Sequence, residues 1–238
     1  MLEKPFWFPM KVSALIPVKG FRNAKQRLSP LLALAERELL AEVMFREVLS
    51  QVLGARGLTE TFVVTGDDRV AEIACSLGAQ VIREEAERGE TEAVDFARLE
   101  VKKSGRDAVL IVPGDLPLVR SVDIETILAQ IPDGPLCPFA LLVPSHDRMG
   151  TNALLLAPPD IIKLRFGYNS FSYHMGQVSA QALPLRFVEN EGIALDIDEP
   201  KDLDRFLSFG FEDGETARLV RGILVDKEAR RAGTFGGL

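Results

Sequence analysis

Apolar and polar positions alternate between two kinds of pattern along this chain. Val12 to Val18 is an apolar run broken only by Ser13, which predicts a strand covered on both faces. Leu32, Leu39, Leu40, Val43, Met44, Val48, Leu49 and Val52 then recur at helical spacing and predict a helix over 31–53, with Ser29-Pro30 as its start signal and Gly54 and Gly57 as its end. Thr61 to Thr65 reads as a buried strand. Gly66-Asp67-Asp68 turns into a helix ending at Leu77, with Gly78 as its C-cap, and Gln80 to Arg83 reads as a short strand. Glu84 to Glu92 reads as an exposed loop entering a helix that runs to about Lys103. Asp107 to Pro113 is the clearest central strand.

The second half predicts a helix over 121–131 with Ser121 as N-cap, strands over 136–143 and 151–156, and a helix over 170–183. Short strands over 184–188 and 193–197 follow, then a helix over 199–209 with Pro200 near its first turn, and one further helix over 215–232. The order is β-α-β-α-β-α-β-α, then a β-rich stretch. It predicts a single α/β domain whose sheet is mostly parallel at first and mixed later, flanked by helices. The expected boundaries are an N-terminal arm over 1–10, the domain over 11–209, and a C-terminal extension over 210–238 whose last residues, from Gly233, are flexible.

Composition narrows the function. At 238 residues with 47% hydrophobic residues, the chain is long and apolar enough for one buried core. A net charge of −7 argues against general nucleic-acid or membrane-surface binding. Cys75 and Cys137 form no disulfide framework or metal-ligand pattern; they read as small buried residues in a reduced cytoplasmic protein. The arm, with Pro5-Phe6-Trp7-Phe8-Pro9, is too short and proline-broken for a signal peptide or membrane span. Together with the tail it is a candidate subunit contact, for a homodimer.

Against this acidic background, the loop after the first strand carries Lys19, Arg22, Lys25 and Arg27. The cations either cradle a polyanion or form a solvated basic loop. Walker and Rossmann glycine patterns are absent, so any phosphate binding here depends on side-chain charge. Asp115, in Pro113-Gly114-Asp115-Leu116-Pro117, follows the central strand where a Mg²⁺ ligand would sit, or is a turn aspartate. In Asp196-Ile197-Asp198 the two carboxylates are expected on opposite faces, so that only one shares a metal with Asp115. Asp198 is either that ligand or a helix cap. Gly150-Thr151-Asn152 offers backbone N–H groups, a hydroxyl and an amide to a small acceptor, or is an ordinary turn. Phe166-Gly167, with Ser170 and His174 after it, is a glycine loop opening a helix, suited to an anion. A lone helical His such as His174 is more often a packed or surface residue than a catalyst.

In chain order, Ile16-Pro17-Val18-Lys19 with Ala24-Lys25-Gln26-Arg27-Leu28, Gly114-Asp115-Leu116-Pro117-Leu118, Gly150-Thr151-Asn152-Ala153-Leu154, Phe166-Gly167 with Ser170-Phe171 and His174, and Asp196-Ile197-Asp198-Glu199-Pro200 resemble the 2-phospho-L-lactate guanylyltransferase family (CofC/FbiD). That family builds the side chain of the deazaflavin coenzyme F-420, within the MobA-like nucleotidyltransferases of GT-A-like fold. The resemblance runs from Val12 to about Phe206. It implies a GTP- and Mg²⁺-dependent guanylyltransferase acting on phosphoenolpyruvate, 2-phospho-L-lactate or 3-phospho-D-glycerate. It also implies roles by position. Lys19, Lys25, Arg27, Thr91 and Gly114 would serve the nucleotide, Asp115 and Asp198 the metal, and Thr151, Asn152, Gly167, Ser170 and His174 the acceptor. Asp115, Lys25 and Asp198 would form the catalytic set.

One segment departs from the family. Gly89-Glu90-Thr91-Glu92-Ala93 stands where a Gly-Leu-Asn-x-Ala pattern is common, and this bears on nucleotide or acceptor preference. Two alternatives differ in class. A molybdopterin or sugar-phosphate nucleotidyltransferase usually opens with a glycine-rich loop in place of Ile16-Pro17-Val18-Lys19. A non-catalytic nucleotide-binding domain would account for Glu90-Thr91 but not for the retention of both Asp115 and Asp198.

Overall fold

The computed structural model describes residues 10–85, 89–132, 137–210 and 214–234. In chain order its elements are β1 (Val12–Pro17), α1 (Leu34–Gly54), β2 (Glu60–Thr65), α2 (Asp68–Leu77), β3 (Gln80–Arg83), α3 (Glu90–Lys103), β4 (Ala108–Ile111) and α4 (Ser121–Leu128). Then come β5 (Phe139–Pro144), β6 (Thr151–Ala157), α5 (Ser170–Ala180), β7 (Leu185–Phe187), α6 (Glu191–Ala194), α7 (Pro200–Ser208) and α8 (Glu215–Thr234). The strands form one seven-stranded sheet in the order β3-β2-β1-β4-β6-β5-β7. Only β6 runs against the others. The reason is the short Ser145–Gly150 connection, because a parallel return needs a crossover of roughly a dozen residues. The reversal brings the start of β6 to the edge where β1 and β4 end.

The apolar runs are buried because helices cover both faces of the sheet. Val12, Ala14 and Ile16 of β1 and Leu110 of β4 pack with Phe45 and Val48 of α1, Val70 and Ile73 of α2, and Ile124 and Ile127 of α4. Leu15 of β1 and Val109 and Ile111 of β4 face the other way, onto Val94, Ala97 and Val101 of α3 and Phe171 and Val178 of α5. This is the α/β architecture that the alternating periods predict. No helix among the described residues is long and apolar enough to cross a membrane.

Several local expectations are corrected. Helix α1 starts at Leu34, not after Ser29-Pro30, because Glu36 reaches back to accept the N–H of Ala33 at 2.7 Å. Ser121 is not an N-cap. Asp123 accepts the N–H of Arg120, while the Ser121 hydroxyl donates to the Gln51 carbonyl. Both cysteines are exposed: Cys75 lies on the outer face of α2, away from Val70, Ala71, Ile73 and Ala74. The strand expected over 193–197 is instead the helical turn α6 followed by irregular chain. Helix α8 continues to Thr234, past Ala232. The Phe6-Trp7-Phe8 contact and the final residues 235–238 lie outside the described residues.

A third apolar cluster ties the loops together. Leu28, Leu40, Met44, Leu195, Ile197, Leu203, Phe206, Ala217 and Val220 pack as one group. Helix α8 is thus seated on α1, and Glu47 accepts from the Thr216 backbone N–H and hydroxyl. Leu28 lies just beyond Lys25, and Leu195 and Ile197 flank Asp196, so the same cluster fixes both chemical loops. Ile197 is fully buried. Ile197→Ala therefore loses about 2–5 kcal/mol of stability, to be read by urea denaturation.

Candidate active site

Lys25 is held with φ 53° and ψ 43°, a left-handed conformation that costs a non-glycine residue energy and recurs at functional sites. The bend aims its side chain inward, where it is only 8% exposed. Its ammonium donates to Asp115 Oδ2 at 2.5 Å and to Asp198 Oδ1 at 2.9 Å. Burial works against the charge, yet the Asp115 and Asp198 carboxylates hold the ammonium above its ordinary pKa. Burial likewise opposes the charge on Asp198, but Lys25 holds that carboxylate below its usual range. Asp198 is not the helix cap. Asp202 accepts the N–H groups of Asp198 and Glu199, which leaves the Asp198 carboxylate for Lys25.

Two cavities meet at this pair. The first, about 260 Å³ and open to solvent, is lined by Lys19, Gly20, Phe21, Lys25 and Gly114. The second is lined by Ser145, Thr151, Asn152, Gly167, Ser170 and Asp196. Glu90, Pro113, Asp115 and Asp198 line both and form the wall where the two contents would touch. Gly114 is also a packing requirement, since a Cβ there would lie 2.9 Å from Val18 Cγ2.

The expected residues separate accordingly. Lys19, Lys25 and Gly114 share the first cavity, while Arg27 lines the second. Arg27 is 69% exposed, with its guanidinium 3.9 Å from Asp198 and 3.6 Å from Glu199. Thr91 lines neither cavity: its hydroxyl accepts the N–H of Phe166 at 2.9 Å and so anchors the loop that carries Gly167. Asn152 lines the second cavity, but its amide donates to the Ile193 carbonyl and to Asp196, fixing the acidic segment. His174 is fully buried behind the wall.

Two carboxylates were missed or set aside. Asp196 faces the same cavity as Asp198, contrary to the expectation, because residues two apart on extended chain point to one side, just as Leu195 and Ile197 together face the apolar cluster. Burial and then Asp115 push Asp196 up to about 6. Glu90 opens α3 and faces Asp115 and Asp198. Burial, then Asp115, push its carboxyl from 4.5 to about 7, with Lys19 opposing. Its only sequence signal was an acid in place of an apolar residue at a helix start.

Asp115 and Asp198 converge on a single ammonium, so their oxygens already point at one cation position. Hard carboxylate oxygens suit a divalent ion. Among the described residues no three His, Cys, Asp or Glu side chains form a metal cluster. Such an ion would therefore take its remaining ligands from phosphate oxygens and water.

A family model described as "Guanylyl transferase CofC like" matches residues 12–235. The chain belongs to this family. The match continues past Phe209 into α8. Within the family, the chain is 37% identical over 201 residues to the phosphoenolpyruvate guanylyltransferase of Rubrobacter xylanophilus, covering 84% of this chain and 96% of that one. It is 34% identical to the 2-phospho-L-lactate guanylyltransferase of Methanothermobacter thermautotrophicus, covering 88% and 89%. It is 31% identical to the 3-phospho-D-glycerate guanylyltransferase of Colwellia psychrerythraea, covering 82% and 90%. A crystal structure of a putative nucleotide-diphospho-sugar transferase from Desulfovibrio desulfuricans G20 superposes with a TM-score of 0.73 at 17% identity, over 90% of this chain and 95% of that one, and shares the fold. This CofC-like chain is thus an enzyme of the nucleotidyl-transfer class.

The raised Glu90 sets a pH test. Between 4.5 and about 7 the folded chain binds a proton that the unfolded chain releases, so stability is lost as pH rises through that window. Glu90→Gln removes this loss. In metal-free buffer its Tm should exceed that of the parent by roughly 5–10 °C at pH 8, the shift for ~3 kcal/mol in a chain of this size, with most of that excess gone at pH 5. Calorimetry at both values reads the difference.

Proposed function

We propose that the protein transfers GMP from GTP to the phosphate of a small phosphorylated carboxylic acid and releases pyrophosphate. The acid is phosphoenolpyruvate, 2-phospho-L-lactate or 3-phospho-D-glycerate, and the step belongs to coenzyme F-420 biosynthesis. The observation that carries the reading is the shared wall: Asp115 and Asp198 line a cavity with Lys19 on one side and a cavity with Thr151 and Ser170 on the other. Its relatives are named for these same acids.

In the reaction an acceptor phosphate oxygen attacks the α-phosphorus of GTP in line. The bond from that phosphorus to the bridging oxygen of the β-phosphate breaks, and pyrophosphate carries away the electron pair. The acceptor phosphate is already ionised near neutral pH, so no general base is needed, and none of the wall residues has to serve as one. The difficulty is bringing two anions together beside carboxylates. Lys19 and Lys25 meet the triphosphate in the first cavity. Thr151, Gly167 and Ser170 seat the acceptor in the second, with Arg27 at its rim. Asp115 and Asp198 would hold Mg²⁺, which when bound supplies charge neutralisation between the two phosphates.

The test is pyrophosphate release with GTP and Mg²⁺ against the three acids, with ATP and CTP as nucleotide controls. Acceptor-dependent release with GTP is the expected result, and no release with any pair overturns the proposal. Asp115→Asn should stay folded and lose roughly 100-fold or more in turnover; near-normal activity would remove it from the site. Lys25→Ala should raise the KM for GTP, and unchanged GTP kinetics would take Lys25 away from the triphosphate.

A further inference from the structure

Behind the second cavity lies a hydrogen-bond chain whose direction can be worked out. The backbone N–H of Arg165 donates to His174 Nε2 at 3.2 Å. A backbone amide can only donate, so Nε2 carries a lone pair and the ring proton sits on Nδ1. Nδ1 lies 3.0 Å from Thr151 Oγ1. Its proton is therefore donated to the threonine oxygen. The Thr151 hydroxyl hydrogen must turn elsewhere, and Thr151 lines the cavity. Ser170 is arranged the same way: its Oγ accepts the N–H of Thr151 at 3.0 Å, which leaves its own O–H to the cavity.

The imidazole is locked in place. His174 is fully buried, with the Phe166 ring edge-on at 5.4 Å and the Tyr173 ring edge-on at 5.8 Å. Burial, with Arg165 and Arg98 nearby, lowers its pKa to about 4, so it stays neutral under assay conditions. It does not reach the cavity. Its chemistry is delivered through Thr151.

We propose that His174 is a positioning residue that, as the Nδ1–H tautomer, fixes the Thr151 hydroxyl as a hydrogen-bond donor to an oxyanion of the phosphorylated acceptor. The inference rests on the acceptor placement proposed above. A hydroxyl free to rotate would present its lone pairs to an anion part of the time. Here the accepting side is engaged from behind, so the donor faces forward before the acceptor arrives.

Three variants and one spectrum test it, using the full chain and whichever of the three acids supports pyrophosphate release. The chain has two histidines, so ¹⁵N spectra of labelled protein at pH 7 can be assigned by loss of signal in a His174 variant. His174 should show a protonated Nδ1 and a bare Nε2. A protonated Nε2 overturns the inference. His174→Leu fills the volume without a donor and should raise the acceptor KM several-fold, up to about tenfold, because Thr151 keeps its hydroxyl but loses the hydrogen bond that orients it, with the GTP KM unchanged. His174→Asn can place an amide N–H where Nδ1–H sits and should restore most of the acceptor affinity. An Asn variant no better than Leu, or a parallel rise in the GTP KM, would mean that His174 serves the fold alone and would overturn the proposal. Thr151→Val separates the two layers of argument. If it leaves the acceptor KM unchanged, the acceptor placement fails and this inference falls with it. If it raises KM while His174→Leu does not, the placement stands and only the role of His174 is lost.

Discussion

One buried ammonium holds the site together. Lys25 reaches Asp115 from the end of β4 and Asp198 from the segment before α7, so three distant parts of the chain meet at a single charge. Burying a cation is costly unless it is paired and hydrogen-bonded, and removing one partner leaves an uncompensated charge inside. The left-handed backbone at Lys25 adds strain that the surrounding contacts must overcome. The arrangement therefore persists only if the loop, the strand end and the acidic segment are all placed together.

That placement is built by packing rather than by charge. Buried on both faces, β1 and β4 set the ends from which Lys19 and Asp115 project. The tight β5–β6 hairpin reverses one strand and so delivers Thr151 and Asn152 to the same edge. Leu28, Leu195 and Ile197 sit in one cluster with residues of α1 and α8, so the helix past Phe209 buttresses both the basic loop and the acidic segment. The family match running through α8 agrees with this structural role.

The charge balance of the cleft follows from its contents. Seven acidic residues, Glu90, Asp115, Asp147, Asp196, Asp198, Glu199 and Asp202, line the second cavity, against the cations Arg27 and Lys201 on the same lining. Glu90 and Asp196 are pushed toward their neutral forms, which relieves part of the repulsion. The second cavity carries neutral donors as well as cations. The hydroxyls of Thr151 and Ser170 are each engaged from behind by an N–H group, and such donors recognise an anion without adding charge.

The strands β1, β2, β3 and β4, the helices α1, α2 and α3 and the parallel opening of the sheet were legible in the sequence, because burial on one face or two imposes a period that survives in any context. The basic loop, Asp115 and Asp198 were legible as residue types at strand ends. Their meeting was not, since nothing local links Lys25 to residues 90 and 173 positions away. Short segments misled most. Residues 193–197 read as a strand but pair with no neighbour; the extended chain keeps its alternation, so Leu195 and Ile197 sink into the cluster under α8 and Asp196 and Asp198 both face one cavity. Thr91 looked like a nucleotide contact and His174 like an acceptor contact, whereas tertiary neighbours engage both from behind the wall. The sequence by itself determined the layers of the fold and the kinds of chemical group available, because those depend on local periodicity and composition. Only the tertiary structure decided which groups face one another, because that depends on contacts between segments that no local pattern encodes.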